Sequence, residues 1–526
     1  MNTDLQESTG IRLLKKGQKG LMYAVFSRMA IVIVLFVLQV LTLFGVFQVF
    51  QQYLPHFLGG NAAFVIAMVI YLINSRMSSS AKLTWLIIIM AMPVFGGLLL
   101  LYTQTDVGHR AIKKRLTEIL EQTKEMLPQS PETLASITEE NPETAALARY
   151  LSRSGCFPVY DHTDVTYFPL GENKFYELLR QLEEAKRFIF LEYFIVDEGV
   201  MWGKVLEVLA QKAREGVEVR MMYDGTCEFS TLPYDYPKRL ERLGIKCKMF
   251  SPLTPFLSTH YNYRDHRKIL VIDGHTAFTG GVNLADEYIN LKSRFGHWKD
   301  TSIMLKGEAV QSFTLMFLQM WNTDEKVPLY KKYLPYPITQ KPDAPGYVIP
   351  YGDCPLDHDK VGEEVFVEIL NHATRYVHIM SPYLILDSVM ENALKFAAKR
   401  GVEVTLILPG IPDKPIPYAI AKTHYASLLE AGVKIYEYTP GFVHAKVFVC
   451  DDIKAVVGTI NLDYRSLYHH FECAAYMYRT SCIPDIEADF QNTLEQCRLV
   501  TPETIKKEKL SVKITGMTLK FLAPLL

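Results

Sequence analysis

One motif of five residues occurs twice in this chain of 526 residues, with the same internal spacing each time. In both copies a lysine follows a histidine by two positions and an aspartate follows the histidine by seven; a glycine comes seven further on and an asparagine three after that. Such a duplication favours two halves with the same fold, and the chain is long enough for each half to have its own core. The motif residues are His266, Lys268, Asp273, Gly280 and Asn283 in the first copy and His444, Lys446, Asp451, Gly458 and Asn461 in the second.

The sequence before each motif also repeats. A helical stretch ends in a glycine and is followed by V-E-V, at Gly216 in the first half and Gly401 in the second, and a second such unit follows at Gly244 and Gly432. Glycine after a helix is typical of a left-handed cap, and an apolar run after it indicates a buried parallel strand. We therefore predict an α/β fold with two pseudo-symmetric lobes, each a mixed β-sheet flanked by helices, and a cleft at their interface.

The spacing within each motif favours one shared site for phosphate chemistry. In an extended segment, residues two apart lie on the same face, so His266 and Lys268 point together while Asp273 points away and is better placed to fix the lobe. Two histidines, two lysines and the amides of Asn283 and Asn461 would supply donors and positive charge for a phosphodiester. One imidazole would attack phosphorus and the other would protonate the leaving alkoxide. The candidate catalytic set is His266, Lys268, Asp273, His444, Lys446 and Asp451, with Asn283 and Asn461 as substrate-binding residues.

Composition narrows the function further. The 56 basic and 57 acidic residues nearly cancel, which disfavours nucleic acid as a partner because phosphate binding rests on a basic excess. The eight cysteines are scattered without metal-ligand spacing and are expected to be free thiols. The sequence predicts no metal site and no other cofactor.

The first hundred residues favour membrane insertion. Residues 29–50 carry no charge and are long enough to cross the ~30 Å hydrocarbon layer. Apolar runs also cover 57–73 and 83–102, the latter containing Pro93. Basic residues flank every run, which favours two crossings and one re-entrant segment in a bacterial plasma membrane, with the lobes in the cytoplasm; three crossings are the alternative. The expected organisation is a basic tail over 1–28, membrane segments over 29–102, a helical connector over 103–155, lobes over 156–340 and 341–505, and an amphipathic tail over 506–526 that either lies on the bilayer or packs on the lobe.

The two motifs, H-R-K-I-L-V-I-D and H-A-K-V-F-V-C-D, resemble the HKD motifs of the phospholipase D superfamily. With GHWKDTSIMLKGEAV and GTINLDYRSLYHHFE, the chain is similar to bacterial cardiolipin synthases over nearly its whole length. The resemblance implies phospholipase D-like lobes that transfer a phosphatidyl group between two phosphatidylglycerols through a phosphohistidine, without metal or nucleotide. It implies His266 as nucleophile and His444 as acid then base, although pseudo-symmetry leaves the opposite assignment open. It also implies that Asp300 and Glu472 orient the histidines, against the alternative that they are solvated charges.

Two other functions stay open at this point. A membrane-anchored phosphodiesterase of the same superfamily would use the same histidines but resolve the intermediate with water. A non-catalytic scaffold would bind anionic lipid, although two complete sets of motif residues favour catalysis over that role.

Overall fold

The computed structural model of the chain describes residues 60–75, 77–104, 110–251, 263–334, 342–357 and 359–525, with scattered positions between 34 and 49. Two mixed β-sheets dominate this part, one in each half, and helices cover them. Buried apolar side chains fill the space between sheets and helices, for example Phe190 stacked on Phe317 at 4.6 Å. The α/β fold predicted from the repeat is confirmed.

The apolar N-terminal region forms short helices. Within the described part of the chain, no helix is both long enough and apolar enough to cross a membrane. The predicted segment 29–50 lies largely outside the described residues, as does the whole basic tail 1–28. The predicted membrane segments over 57–73 and 83–102 are not supported as crossings. The second run, for which Pro93 predicts a kink or a segment that does not cross, is divided at Met92, because Pro93 has no N–H with which to continue the preceding helix. The helices are α1 (Gly60–Asn74), α2 (Ser79–Ala91) and α3 (Pro93–Gln104).

The predicted connector is helical. Two of its helices begin with proline after a side-chain cap, Ser130 in one case and Asn141 in the other, which is the arrangement expected at a helix start. The connector helices are α4 (Arg110–Thr123), α5 (Pro131–Glu140) and α6 (Pro142–Gly155).

The first lobe is built on a seven-stranded sheet with the order β1-β9-β7-β6-β2-β3-β4. Strands β2, β3 and β4 run parallel, and β6 is antiparallel to β2. The strands are β1 (Thr163–Phe168), β2 (Phe188–Tyr193), β3 (Glu218–Asp224), β4 (Lys246–Phe250), β5 (Arg264–Asp265), β6 (Lys268–Ile272), β7 (Thr276–Gly280), β8 (His297–Lys299) and β9 (Ser302–Gly307). The helices are α7 (Gly171–Glu184), α8 (Val200–Arg214), α9 (Cys227–Ser230), α10 (Tyr236–Glu241) and α11 (Val310–Trp321).

The second lobe repeats this order as β10-β17-β16-β15-β11-β12-β13, with β18 added at one edge. Its strands are β10 (Tyr347–Asp353), β11 (Tyr376–Met380), β12 (Glu403–Pro409), β13 (Lys434–Tyr438), β14 (Gly441–Val443), β15 (Val447–Cys450), β16 (Lys454–Gly458), β17 (His470–Tyr478) and β18 (Cys497–Leu499). Its helices are α12 (Val361–His372), α13 (Ser388–Lys399), α14 (Pro415–Glu430), α15 (Ile483–Leu494), α16 (Pro502–Lys507) and α17 (Leu510–Leu519). A π-helix covers Arg465–His469, and 3-10 helices cover Asp286–Ile289 and Lys520–Leu525.

The glycines of the repeat occupy the predicted backbone conformations. Gly216, Gly244, Gly401 and Gly432 have φ between +83° and +97°, so each forms the left-handed cap predicted for it. The motif glycine has a different role: a Cβ at Gly458 would lie 2.3 Å from the Cβ of Ala474 on the neighbouring strand. The close approach of two strands therefore requires glycine at that position.

Two short strand pairings join the lobes. In the first, β5 of the first lobe runs parallel to the start of β17, so that Arg264 pairs with His470. In the second, β14 of the second lobe runs parallel to β8, and Val443 pairs with Lys299. The strand residues immediately before each motif histidine are thus hydrogen-bonded to the opposite lobe.

Candidate active site

Each motif histidine is fixed by backbone from the opposite lobe. The N–H of His266 donates to the carbonyl of Phe471 at 3.0 Å, and the N–H of His444 donates to the carbonyl of Lys299 at 2.7 Å. Both histidines are buried. The inter-lobe strand pairs therefore bring the two halves of the duplicated motif together at one interface.

The histidines and their carboxylates are paired across the lobes. The Nδ1–H of His266 donates to both carboxylate oxygens of Glu472 at 2.9 Å, and the Nδ1–H of His444 donates to Oδ2 of Asp300 at 2.6 Å. Both carboxylates are fully buried, so they are not solvated charges. Burial raises the pKa of Glu472, but the adjacent His266 outweighs it and holds that pKa below its usual range. With Nδ1 bound in this way, each ring presents Nε2 as the reactive atom.

The two motif lysines lie within electrostatic reach of each other. Burial lowers the pKa of Lys268 to about 8 and that of Lys446 to about 7. Lys268 also lowers the pKa of both Lys446 and His444 in the other lobe. Each ammonium donates to the carbonyl of the histidine two residues before it. The two copies of the motif thus form one cationic site.

The histidine pKa values are low in this environment. Burial lowers the pKa of His266 well below its usual value, and burial together with Lys446 lowers that of His444 to about 4. Without an anion in the site, both rings are therefore neutral at pH 7. A bound phosphodiester would raise these values, because a nearby negative charge favours the protonated ring.

The motif asparagines bind neighbouring protein groups. The amide of Asn283 donates to the hydroxyl of Tyr288, and its oxygen accepts from the N–H of Ile195. The Tyr288 ring lies 5.4 Å from that of His444. Asn461 donates to Asp463 at 3.3 Å, while its buried Oδ1 has no hydrogen-bond partner among the described residues. The sequence predicts donation beside a histidine; in the structure these amides donate to Tyr288 and Asp463, and a role in binding substrate stays a prediction.

The motif aspartates, which the motif groups with the candidate catalytic residues, bind backbone at the edge of each lobe instead. Asp273 accepts hydrogen bonds from the N–H groups of residues 186–188, where β2 begins. Asp451 does the same for residues 374–376, where β11 begins. Both lie at the far end of the strand that follows the histidine, with φ near +53°. They fix the edge of each lobe, as the odd spacing from the histidine indicates, and they do not contact the reacting groups.

Sequence reasoning missed two residues that flank His266 and His444. His470 lies 5.2 Å from the His266 ring, and Trp298 lies 5.2 Å from the His444 ring. Each precedes its carboxylate by two positions, so the period of two along a strand places it on the same face. Nδ1 of His470 lies 3.5 Å from Oε1 of Glu472, whereas Nε2 of His470 and the Nε1–H of Trp298 have no hydrogen-bond partner among the described residues. The signal in the sequence was this spacing relative to Glu472 and Asp300.

A third missed residue is Lys174 on α7. It is fully buried and donates to the hydroxyl of Tyr193 and the carbonyl of Val282. Burial, aided by Lys268, lowers its pKa to about 7, while Asp300 opposes the shift. The sequence signal was a lysine on the apolar face of a helix, four residues before the buried Leu178.

Among the described residues, one group has atoms close enough to hold a metal ion: His266, His470 and Glu472, with one ligand atom each within 4.8 Å of the others. The hydrogen bond between His266 and Glu472 already uses two of these atoms. Lys268 also lies close enough to lower the pKa of His266. The group therefore fits a histidine–carboxylate pair in a cationic site better than it fits a metal centre.

Comparison with known proteins identifies the family of the chain and the fold that it shares. The family model described as cardiolipin synthase, PLD-like domain, matches residues 178–321 and 366–494. The chain is 35% identical to a cardiolipin synthase of Geobacillus kaustophilus and 34% identical to cardiolipin synthase 2 of Bacillus cereus; the alignments cover 88% of this chain and 91% and 90% of those proteins. A crystal structure of phosphatidylserine synthase from Haemophilus influenzae shares the fold, with a TM-score of 0.53 at 14% identity over 69% of this chain and 95% of that one.

Proposed function

Because this chain belongs to the cardiolipin synthase family with phospholipase D-like domains, we propose that it is a phosphatidyltransferase that makes cardiolipin and glycerol from two molecules of phosphatidylglycerol. The observation that carries the proposal is the crossed pairing of His266 with Glu472 and of His444 with Asp300. It gives one site two activated imidazoles, which is what a two-step transfer at phosphorus needs.

The first step forms a covalent intermediate. Nε2 of His266 attacks phosphorus, the bond to the glycerol oxygen breaks, and protonated His444 gives its Nε2 proton to that oxygen. Glu472 stabilises the positive charge that develops on His266, since its carboxylate accepts the Nδ1–H. Lys268 and Lys446 stabilise the non-bridging oxygens while charge shifts in the transition state.

The second step reverses these roles for a new alcohol. His444, now neutral, removes the proton from a hydroxyl of the second phosphatidylglycerol, and that oxygen attacks phosphorus. The bond between phosphorus and Nε2 of His266 breaks, which releases cardiolipin and restores both rings. The expected kinetics are ping-pong, with glycerol released before the second lipid reacts.

The test uses the purified full-length protein and headgroup-labelled phosphatidylglycerol in detergent micelles containing EDTA. We expect labelled glycerol and labelled cardiolipin in equal amounts, because the headgroup glycerol of the acceptor lipid becomes the bridging glycerol of cardiolipin. Phosphatidic acid as the only lipid product would identify a hydrolase, and binding without turnover would identify a scaffold. The double variant His266→Ala/His444→Ala serves as the control for background lipid exchange.

A further inference from the structure

The C-terminal helix α17 carries a stripe of exposed apolar side chains. Leu510, Ile514 and Met517 recur at positions i, i+4 and i+7, the period of one helix face, and are 71%, 52% and 74% exposed; Phe521, 39% exposed, lies on the 3-10 helix that follows. Three large apolar groups on one exposed face are unusual for a helix that only packs on its own lobe.

The opposite face of α17 is held firmly against the second lobe. Gly516 packs on α14 so closely that a Cβ there would lie 2.2 Å from the carbonyl oxygen of Ala419. The helix therefore cannot turn its stripe inward without losing this contact. The orientation of the stripe is a property of the folded protein.

The segment that contains the stripe is rich in lysine. Residues 502–525 contain five lysines against two glutamates. Lys506, Lys507, Lys509 and Lys520 are exposed, and Lys513 lies on α17 itself. An apolar stripe with lysines at its border is the pattern of a helix that lies in the interface of an anionic bilayer.

The C-terminal segment contacts the N-terminal helices, which have exposed apolar stripes of their own. The hydroxyl of Thr84 on α2 donates to the carbonyl of Phe521, which joins the C-terminal segment to α2. Helix α2 has its own exposed apolar stripe, at Leu83, Ile87 and Met90, again at positions i, i+4 and i+7. Helix α1 has another at Ile66, Ile70 and Ile73.

The same segment contacts a residue next to the site in the sequence. The ring of His469 donates from Nε2 to the carbonyl of Pro524 at 3.1 Å. His469 ends the π-helix and immediately precedes His470. The C-terminal segment therefore connects the apolar face to the strand that carries Glu472.

We propose that the segment 506–525 is a docking surface for anionic phospholipid. The segment lies in the bilayer interface through Leu510, Ile514 and Met517, and it seats the active site over the lipid headgroups. This goes beyond the proposed transfer reaction because it assigns a lipid-contact role to the C-terminus. The two expectations for this tail, that it lies on the bilayer or that it packs on the lobe, then both hold. One face of α17 packs on the lobe and the opposite face lies on the bilayer.

Photolabelling tests the contact without requiring turnover. The wild-type full chain is incubated with vesicles of phosphatidylglycerol, or of phosphatidylcholine, that carry a diazirine on the acyl chain, and labelled peptides are mapped by mass spectrometry. We expect label on Leu510, Ile514 or Met517, with several-fold more from phosphatidylglycerol. No label on residues 510–521, while α1 or α2 is labelled, would overturn the proposal.

A kinetic test separates docking from chemistry. In Ile514→Asp/Met517→Asp, activity on phosphatidylglycerol vesicles should fall about tenfold, while activity on short-chain monomeric phosphatidylglycerol should stay within about twofold of wild type. The matched control is Val327→Asp, since Val327 is equally exposed on the first lobe. Unchanged vesicle activity in the double variant would overturn the docking role. If the variant loses both activities, the wild-type labelling pattern decides the question. A wild-type protein inactive on both substrates would refute the proposed function and leave the labelling result standing.

Discussion

The two histidine–carboxylate pairs have the same topology but different surroundings. His266 binds a glutamate that also accepts a hydrogen bond from the hydroxyl of Thr459. His444 binds an aspartate that packs against Gly281, where a Cβ would lie 1.9 Å from Oδ1 of Asp300. Gly281 and Thr459 occupy the same position of the repeat, fifteen residues after the histidine. The two lobes thus share the histidine–carboxylate pair but differ in the residue that contacts its carboxylate.

The rings beside the histidines differ in the same way. His444 is surrounded by Trp298, Tyr288 and Phe442. His266 is flanked by Phe194 and by a second imidazole, His470. The longer carboxylate with an additional hydrogen-bond donor and a polar neighbour suits the ring that carries a covalent phosphoryl group and positive charge. The aromatic surroundings suit the ring that only exchanges a proton.

The largest expected effect is the removal of either histidine. His266→Ala and His444→Ala should each lower kcat for cardiolipin formation by about 10³-fold or more, because one removes the nucleophile and the other the general acid. With phosphatidyl-p-nitrophenol, whose leaving group needs no proton, His444→Ala should still release one equivalent of nitrophenol in a burst, and His266→Ala should release none. The reverse pattern would exchange the two roles.

The variants of the two carboxylates should differ from each other in the same way as the variants of the two histidines. Glu472→Gln and Asp300→Asn should each lower kcat by about 10²- to 10³-fold on phosphatidylglycerol, since both rings lose the partner that fixes the tautomer. On phosphatidyl-p-nitrophenol, burst rates should recover for Asp300→Asn and stay low for Glu472→Gln, because only Glu472 supports the nucleophile. Equal recovery in both variants would refute the functional difference between the pairs.

The sequence could not predict that each motif histidine binds a carboxylate of the opposite lobe. The fixed intervals from His266 to Asn283 predicted the shared face of histidine and lysine. The repeated helix–glycine–strand units before each motif predicted the lobes and the glycine caps, because these depend on local periodicity. The partner of each histidine depends on β5 meeting β17 and on β14 meeting β8, contacts between residues more than 140 positions apart. The spacing between Asp300 and His266, the histidine of the same lobe, could not show which of the two motif histidines Asp300 binds. Hydropathy likewise detected the apolar run over 83–102 but not its division at Met92.

The pH dependence should reflect both lobes. Catalysis needs a proton on His444, whose pKa is about 4, and on the ammoniums of Lys268 and Lys446, whose pKa values are about 8 and about 7. All three charged forms are lost as the pH rises, so kcat/KM should fall about tenfold per unit from pH 6 and more steeply above pH 7 to 8. The rate at saturating lipid should change less, because the bound phosphodiester raises all three pKa values. A maximum of kcat/KM near pH 9 would contradict this assignment.

The smallest expected effect comes from removing the hydroxyl group that donates a hydrogen bond to Glu472. Thr459→Val keeps the shape of the side chain but removes the hydroxyl that donates to the carboxylate, which costs about 1 to 1.4 kcal/mol of orientation and should lower kcat about five- to tenfold. The matched control is Thr405→Val on β12, a buried threonine whose hydroxyl has no hydrogen-bond partner among the described residues, and it should leave kcat unchanged. Because Thr459 acts only on the nucleophile side, the loss should persist with phosphatidyl-p-nitrophenol. A loss confined to phosphatidylglycerol would place Thr459 on the leaving-group side and remove the distinction between the two supports.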